Sequence, residues 1–270
     1  MGYKKKDFKV LFNDLGLSNQ RVVVHASISS LGYVEGGPNT INDALCETIH
    51  TCLMPAFSFR SVVAPPLNDR PHRNGIDYNT FQTLIVPTPP FRIEEAPIDP
   101  RMGFLPYYFA KREGCLRSDH PWASFTAWGT DSNELIAPYH WTDGAVPMER
   151  LIKKNSYVLL MGVTLTSCSA IHIANKYAGR KDFIRWALDR NSEVRRLNPG
   201  GGCSKGFDNL LPHCLHLFRQ QQIGKANILV AHLPQLVNYC KQIIISNPEI
   251  TRCSPDCLKC NDSILGGPID

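Results

Sequence analysis

The sequence of 270 residues has no long hydrophobic run. Its longest apolar stretch, residues 157–165, is broken at Gly162 and Thr164 and is far shorter than the roughly 18 residues of a membrane-spanning helix. Lys4, Lys5 and Lys6 lie near the start of the sequence, but no apolar segment follows them, so the sequence predicts no secretory signal peptide. We therefore expect a cytoplasmic protein without a membrane partner.

Dense basic patches are missing as well. Lysine and arginine number 29 against 24 acidic residues, which gives a net charge of +5, but they form no basic stripe with interleaved aromatic side chains. We therefore expect no nucleic-acid partner. The modest positive excess instead suits an anionic ligand such as a phosphorylated cofactor.

The composition also excludes a disordered chain, because 43% of the residues are hydrophobic and 9% are aromatic. That is enough for a sizeable core in one large domain or two modest ones. The sequence contains ten cysteines. In a cytoplasmic protein these thiols are reduced, and any cluster of them is a candidate metal site.

Hydrophobic periodicity predicts an α/β fold that opens with a βαβ-like unit. Its expected elements are a helix over 5–15, a strand over 21–26, a loop over 27–38, a helix capped by Asn39 or Thr40, and a strand over 52–57. Eight prolines make residues 61–100 an irregular insertion of the kind that often forms a functional loop. Later elements are helices over 102–111 (interrupted at Pro106), 148–153 and 169–178, strands over 125–128 and 157–163, and two helices in the tail.

Three segments combine residue types that suit chemistry. Residues 27–37 (SISSLGYVEGG) join a strand to a helix and form either a phosphate nest or an ordinary loop; they lack Walker and G-x-G-x-x-G spacing. Residues 117–124 (RSDHPWAS) bring together a guanidinium, hydroxyls and an imidazole, which suits an anion or a carbonyl group. Residues 169–175 (SAIHIAN) place His172 after a buried strand, as either a general base or a buried structural histidine.

Together with residues 22–45, 53–59, 101–129 and 158–163, these segments resemble the aminoglycoside 3-N-acetyltransferase (antibiotic N-acetyltransferase) family. The matches occur in the family order, and R-S-x-H-P-x-x-S is the most specific of them. The resemblance implies a central mixed sheet flanked by helices, with coenzyme A bound in a groove along the sheet. Residues 1–197 would form the acyltransferase-like domain, and residues 198–270 a small helical, cysteine-rich extension packed on it.

The resemblance also implies the residues of the site. His172 corresponds to the family's general base, accompanied by Ser169 and Asn175. It would take a proton from the acceptor amine as the amine attacks the thioester of acetyl-CoA or another acyl-CoA. Cofactor binding falls to the end of the first strand, the loop after it and the R-S-x-H-P element: His25, Ser27, Ser29, Ser30, Leu31, Gly32, Arg117, Ser118, His120 and Ser124.

One departure from the family pattern bears on the acceptor. Asn175 stands where the family has a glutamate, whose charge would raise the basicity of His172 and attract a cationic amine. We therefore expect a small neutral or anionic amine, such as a biosynthetic intermediate, rather than a polycationic aminoglycoside. Two other functions stay open: a homologue that binds a CoA-like ligand without transfer, and an enzyme that uses His172 in a different reaction. A homodimer stays open as well.

Three late cysteines, Cys253, Cys257 and Cys260, form C-x3-C-x2-C. Radical S-adenosylmethionine enzymes use this spacing for a 4Fe–4S cluster, but there it precedes the substrate-binding barrel. Its late position here favours a structural zinc site, with Cys203 as the fourth ligand, or Cys214 or His213 in its place. The alternative is three reduced cysteines in a turn.

A Cys–His nucleophile pair is a further alternative, because Cys168 lies four positions before His172.

Overall fold

The fold is taken from a computed structural model, which describes residues 2–80 and 88–269. The strands in these residues, in chain order, are β1 (Arg21–Ala26), β2 (Thr51–Pro55), β3 (Val62–Val63), β4 (Leu116–Arg117), β5 (Phe125–Gly129), β6 (Ser156–Met161), β7 (Arg185–Leu188), β8 (Val194–Leu197), β9 (Phe218–Ile223) and β10 (Ala226–His232). The helices are α1 (Lys5–Asp14), α2 (Pro38–Thr48), α3 (Phe104–Phe109), α4 (Ser132–Ile136), α5 (Val146–Ile152), α6 (Ala170–Tyr177), α7 (Leu211–Cys214), α8 (Leu233–Ser246) and α9 (Leu258–Ile264).

A seven-stranded mixed sheet forms the centre, in the order β4–β5–β2–β1–β6–β10–β9. β1 pairs in parallel with both β2 and β6, and the outer strands are antiparallel. The sheet is covered on both faces, since Val23 belongs to one apolar cluster while Val22 and Val24 belong to the other. Burial on both faces explains why β1 reads as a continuous apolar run. The expected α/β fold with a mixed sheet flanked by helices is confirmed.

The opening elements follow the sequence closely, with two differences at proline. α2 begins at Pro38, with Gly37 at φ 62° as its cap, rather than at Asn39 or Thr40. Proline suits this first helical position because it has no amide hydrogen to leave unpaired. For the same reason Pro106 is accommodated in the first turn of α3 and does not interrupt it, and the helix is shorter than the predicted residues 102–111.

The tail contributes more than the predicted helical extension. β9 and β10 lie after residue 198, and β10 pairs with β6 over Ile228–Met161 to His232–Tyr157. The boundary at 197/198 is therefore corrected, because the later segment completes the central sheet. β9 escapes sequence reasoning since its middle, RQQQ, is polar and exposed at the sheet edge.

The proline-rich insertion contributes β3 to a second, smaller sheet, in the order β3–β7–β8, which the sequence did not predict. The other two strands of this sheet, β7 and β8, follow α6. Residues 81–87, including Pro87, lie outside the described residues, so the expected irregularity is confirmed only for the rest. The insertion is tied to the tail, since Gly75 N donates to Asp262 Oδ2 at 2.8 Å and His72 bridges to Ile269. Among the described residues, no helix combines the length and apolar character that crossing a membrane requires.

If the tail strands belong to the core sheet, Ile228→Ala will lower the free energy of unfolding by about 2–5 kcal/mol. Ile228 is fully buried in β10, so its removal leaves a cavity. The control is Gln221→Ala, because Gln221 is the exposed partner of Ile228 across the β9–β10 pair and should change stability by less than about 0.5 kcal/mol. Urea unfolding measures both; equal effects would contradict this role of the tail.

Candidate active site

A cavity of about 620 Å³ opens at the edge of the sheet where β1, β2 and β6 end. Parallel strands finish at a common edge, and open α/β sheets bind ligands there. The wall is formed by the end of β1 and the loop after it, the end of β2, the start of α3, residues 122–125, the region before α5, the start of α6 and residues 199–204. A cavity thus lies at the carboxyl-terminal edge of the parallel strands, and its role as the coenzyme A groove implied by the resemblance stays a prediction.

His172 lies in the wall of this cavity, on the first turn of α6. Its ring packs edge-on against Phe207 with centroids 4.8 Å apart, and Gly202 N donates to its Nδ1 at 3.4 Å. Gly201 packs so tightly on the ring that a Cβ at this position would collide with it. The ring orientation is thus set by a phenyl ring and by two glycines.

Burial lowers the pKa of His172 to about 4, so the imidazole is neutral at pH 7. A neutral ring that accepts a hydrogen bond at Nδ1 carries its own proton on Nε2. To take up another proton, the ring must accept it at Nδ1 and give up the hydrogen bond from the Gly202 amide. The 3.4 Å separation makes this a weak bond and the release easy.

The Asn175 side chain bonds to Arg180. Its Oδ1 accepts from Arg180 Nη1 at 2.9 Å, and the same nitrogen donates to Thr251 Oγ1 at 2.7 Å. The physical reason is that Arg180 is buried and its guanidinium needs acceptors. Ser169 does line the cavity next to His172, as the residue that precedes α6.

The loop after β1 divides into two parts. Ser27 and Ser29 line the cavity, with hydroxyl oxygens 3.1 Å apart. Ser30 instead donates to Ser27 O at 2.7 Å and to Gly162 O at 3.2 Å, and Leu31 is fully buried in the core. Ser30 and Leu31 therefore shape the loop but do not face the cavity. Gly32, at φ 85° with open space around it, is exposed at the turn that follows.

The R-S-x-H-P element is a closed hydrogen-bond network. Arg117 donates to Ser124 Oγ (3.0 and 3.1 Å), Ala96 O (2.5 Å) and Ala56 O (2.7 Å). Ser118 Oγ accepts from Phe125 N and from Tyr139 Oη, both at 2.9 Å.

His120 is fully enclosed in the same network. Its Nε2 lies 2.9 Å from Trp141 O, and its Nδ1 accepts from the amides of Trp122 and Ala123. Burial lowers the pKa of Arg117 to about 10 and that of His120 to about 4.

This network favours a structural role for Arg117, Ser118, His120 and Ser124, and their contact with a cofactor stays a prediction. Within the described residues, none of the four side chains lines the cavity, while Trp122, Ala123 and Phe125 do. The polar groups of the four residues hold residues 122–125, which lead into the start of β5, beside the end of β2. The sequence identified this cluster of polar residues but not the groups to which they are bonded, because composition does not reveal hydrogen-bond partners.

His25 lines the cavity at the end of β1 and is 7% exposed. Its Nε2 is buried and has no hydrogen-bond partner within the described residues. Burial lowers its pKa to about 4, so it is neutral at pH 7. A buried polar atom of this kind is stabilised when a ligand supplies a partner.

Sequence reasoning missed the glycine segment, which we define as residues 200–202. All three glycines line the cavity. The signal was present in the run of three glycines before Cys203, since repeated glycine often marks close approach of the backbone to a neighbour. Arg101 and Phe104 at the cavity wall were missed too, because nothing in their local pattern sets them apart.

The charge in the cavity is sparse. Arg101 is the one residue with a permanent charge among the described lining residues, and it pairs with Asp99 at 2.7 Å. Residues 81–87 (FQTLIVP) contain no acidic residue either. Outside the lining, Glu149 pairs with Lys176 at 3.0 Å. The described lining residues therefore offer no carboxylate to a cationic ligand.

Four cysteines meet next to the site, and we call Cys203, Cys253, Cys257 and Cys260 the cysteine cluster. Their sulfur atoms all lie within 4.8 Å of one another, with Cys203–Cys253 at 3.7 Å and Cys253–Cys260 at 3.6 Å. The structure thus brings together the four residues chosen from the sequence. Cys214 is buried in the main apolar core, and His213 is exposed.

Cys168 lines the cavity but does not suit a nucleophile. It is 1% exposed, and burial raises the pKa of its thiol to about 12. The thiol is therefore protonated at pH 7, while the reactive form is the thiolate. The alternative of a Cys–His nucleophile pair loses its support.

Comparison with known proteins gives a consistent family. The family model described as Aminoglycoside 3-N-acetyltransferase matches residues 23–244. Aminoglycoside N(3)-acetyltransferase IX of Micromonospora chalcea is 31% identical over 173 residues, which cover 61% of this chain and 59% of that protein. The SPbeta prophage-derived aminoglycoside N(3')-acetyltransferase-like protein YokD of Bacillus subtilis (strain 168) is 27% identical over 254 residues, 90% of this chain and 91% of that protein.

The chain spans less than two thirds of the length of the curated relatives that match it at 30–31% identity. Among solved structures, the binary complex of AAC-IIIb with CoASH has a TM-score of 0.73 at 21% identity, covering 91% of this chain and 97% of that one. Similarity at this identity establishes a common fold, in agreement with the mixed sheet described above.

If the R-S-x-H-P element is structural, Arg117→Ala will lower the free energy of unfolding by at least about 1–3 kcal/mol, the cost of one buried acceptor left unpaired. The folded variant should keep its affinity for coenzyme A to within a few-fold. The control is Arg190→Ala, which removes an exposed ion pair with Glu94 worth about 1 kcal/mol or less. Urea unfolding and calorimetry measure both quantities; unchanged stability with lost coenzyme A binding would reverse the interpretation.

Proposed function

The chain belongs to the aminoglycoside 3-N-acetyltransferase family, and on that premise we propose that it transfers an acyl group from coenzyme A to an amine of a small molecule. The observation that carries the proposal is His172, a neutral imidazole in the wall of a cavity at the carboxyl-terminal edge of the parallel strands. An ammonium ion is not a nucleophile, so amine acylation needs a group that accepts a proton near the reacting nitrogen. His172 is the group we assign to that role.

The reaction then proceeds without a covalent enzyme intermediate. The amine nitrogen attacks the thioester carbonyl, the C–N bond forms and the C–S bond breaks. His172 takes the proton that the amine loses and returns it to the departing thiolate, which leaves as CoASH. Because Cys168 is protonated, direct transfer within a ternary complex is the consistent path.

Coenzyme A is supported by the cavity and by the fold. The fold neighbour AAC-IIIb forms a binary complex with CoASH. Here the Ser27 and Ser29 hydroxyls and the unpaired Nε2 of His25 offer polar partners along one wall. Arg101, which lines the cavity just before α3, supplies positive charge for a phosphate group of coenzyme A. We also propose a cytoplasmic location, where acyl-CoA and reduced thiols occur together.

For the acceptor we propose a neutral or anionic amine. The curated relatives are named for aminoglycosides, which are polycations. In this chain the described lining holds Arg101 but no carboxylate, and Asn175 replaces the glutamate expected from the family. A polycation would leave several charges unpaired, which is costly in a partly enclosed cavity.

The cysteine cluster is proposed to hold a structural zinc ion. Four sulfur ligands at about 2.3 Å from a tetrahedral zinc lie about 3.8 Å apart. The separations of 3.6 and 3.7 Å match this spacing, and cysteine thiolates are preferred zinc ligands. The site would cross-link residue 203 to the 253–260 segment, outside the acyl-transfer chemistry.

A second function has one observation in its favour. His172 has no carboxylate partner among the described residues, and the Asn175 side chain, which stands where the family has a glutamate, bonds to Arg180. A histidine with a pKa near 4 is a weak base. This favours a homologue that binds a CoA-like ligand without turnover as the competing proposal.

The decisive experiment compares wild-type protein with His172→Ala. We expect acetyl-CoA to bind both with similar affinity by calorimetry, while thiol release with an amine library falls about 10²–10⁴-fold in the variant, the usual contribution of a general base. The control is His213→Ala, which changes an exposed histidine away from the cavity. Binding without release in the wild type supports the competing function, and no binding contradicts both.

The acceptor proposal is tested with amines of different charge at matched size. We expect kcat/KM to be higher for neutral and anionic monoamines than for kanamycin-type polycations. Turnover of kanamycin-type acceptors as efficient as that of the best monoamine would contradict the proposal.

A further inference from the structure

The cysteine cluster lies next to the glycine segment, not apart from the site. Cys203 directly follows Gly202, whose amide donates to His172 Nδ1. Residues 199–204 belong to neither helix nor strand, so no regular backbone pairing holds them. Three successive glycines also lose more conformational freedom on ordering than other residues would. The glycine segment therefore needs an anchor at each end.

The first anchor is at Asn198. Its amide donates to Trp141 O at 2.8 Å, and its side-chain Oδ1 accepts from Gly200 N at 2.8 Å. At the other end the chain passes into Cys203 and the cysteine cluster.

The segment fits its surroundings too closely to shift freely. A Cβ at residue 202 would lie 2.8 Å from the Phe183 ring, and one at residue 200 would lie 3.2 Å from the backbone of Gly144. At residue 201 it would collide with His172. A displacement of Cys203 therefore moves the wall of the cavity and the contact with His172.

The partner of Cys203 in the cluster is itself joined to the helix that carries His172. Arg180 connects Asn175 on α6 to Thr251, two residues before Cys253. Asn209 Nδ2 further donates to Ile250 O (3.1 Å) and Arg252 O (3.2 Å). The 250–253 segment is thus fixed to α6, the helix that carries His172, through Arg180.

We propose that a metal ion in the cysteine cluster holds the glycine segment in place, so that Gly201 keeps its packing against the His172 ring and metal occupancy controls acyl transfer. The link runs from α6 through Asn175, Arg180 and Thr251 to Cys253, and across the metal through Cys203 to Gly202. Metal–thiolate bonds would join Cys203 firmly to Cys253 and so complete this link. Without a metal, the thiols lie 3.6–3.7 Å apart and are joined only by weak hydrogen bonds. The control of transfer rests on the proposed function, while the ordering of the segment does not.

The experiment uses full-length untagged protein with zinc as the probe. Wild-type protein should contain one zinc per chain by elemental analysis. Cys203→Ser should lose the zinc, speed hydrogen exchange at residues 200–204, and lower kcat about 10²-fold with little change in coenzyme A affinity, as a small misplacement of a reacting group does. Cys203→His should keep the metal and recover most of kcat, because histidine is also a zinc ligand. The matched control is Cys46→Ser, a cysteine outside the cluster.

If Cys203→Ser does not fold, chelation of wild-type protein followed by return of ZnCl2 replaces it, with the same readouts expected to fall and recover. Substoichiometric zinc in freshly purified protein overturns the proposal. So does loss of zinc with unchanged exchange at residues 200–204. If no amine is acylated by the wild type, the proposed function fails, and exchange with and without zinc still decides whether metal orders the segment.

Discussion

Parallel pairing of β6 with β1 is the constraint on which the site depends. Six residue pairs, from Arg21–Ser156 to Ala26–Met161, bring both strands to the same edge of the sheet. The segments that follow the two strands therefore start at this edge: the serine loop follows β1, and a turn and then α6 follow β6. His25 and His172 are 147 positions apart in the chain and line one cavity for this reason alone.

Polar residues around that edge divide into those that build the wall and those that face the cavity. Arg117, Ser118, His120 and Ser124 satisfy one another and nearby carbonyl groups, which is the stable arrangement for buried polar groups. His25, Ser27 and His172 retain polar atoms that face the cavity. A cluster of polar residues in the sequence thus indicates a functional region. Only the hydrogen-bond pattern distinguishes residues that support the cavity wall from residues that can bind a ligand.

The glycine segment forms a part of the cavity wall that is built differently from the part formed by the strand ends. It belongs to no strand, and its close neighbours are Gly144, His172 and Phe183. Its shape therefore depends on side-chain and backbone packing rather than on the pairing of the sheet.

The sequence alone determined the elements whose cause is local. Apolar periodicity placed α1, β1, β6 and α6 to within a few residues, and the motifs identified the family and the four members of the cysteine cluster. Tertiary structure decided the rest. β9 is polar because it is a sheet edge, so its strand state depends on pairing with β10. Asn175 stands in the motif of the expected base, but the buried Arg180 claims its side chain. The partners of a polar group, and the neighbours that a glycine must accommodate, come from distant segments, and no local pattern in the sequence records them.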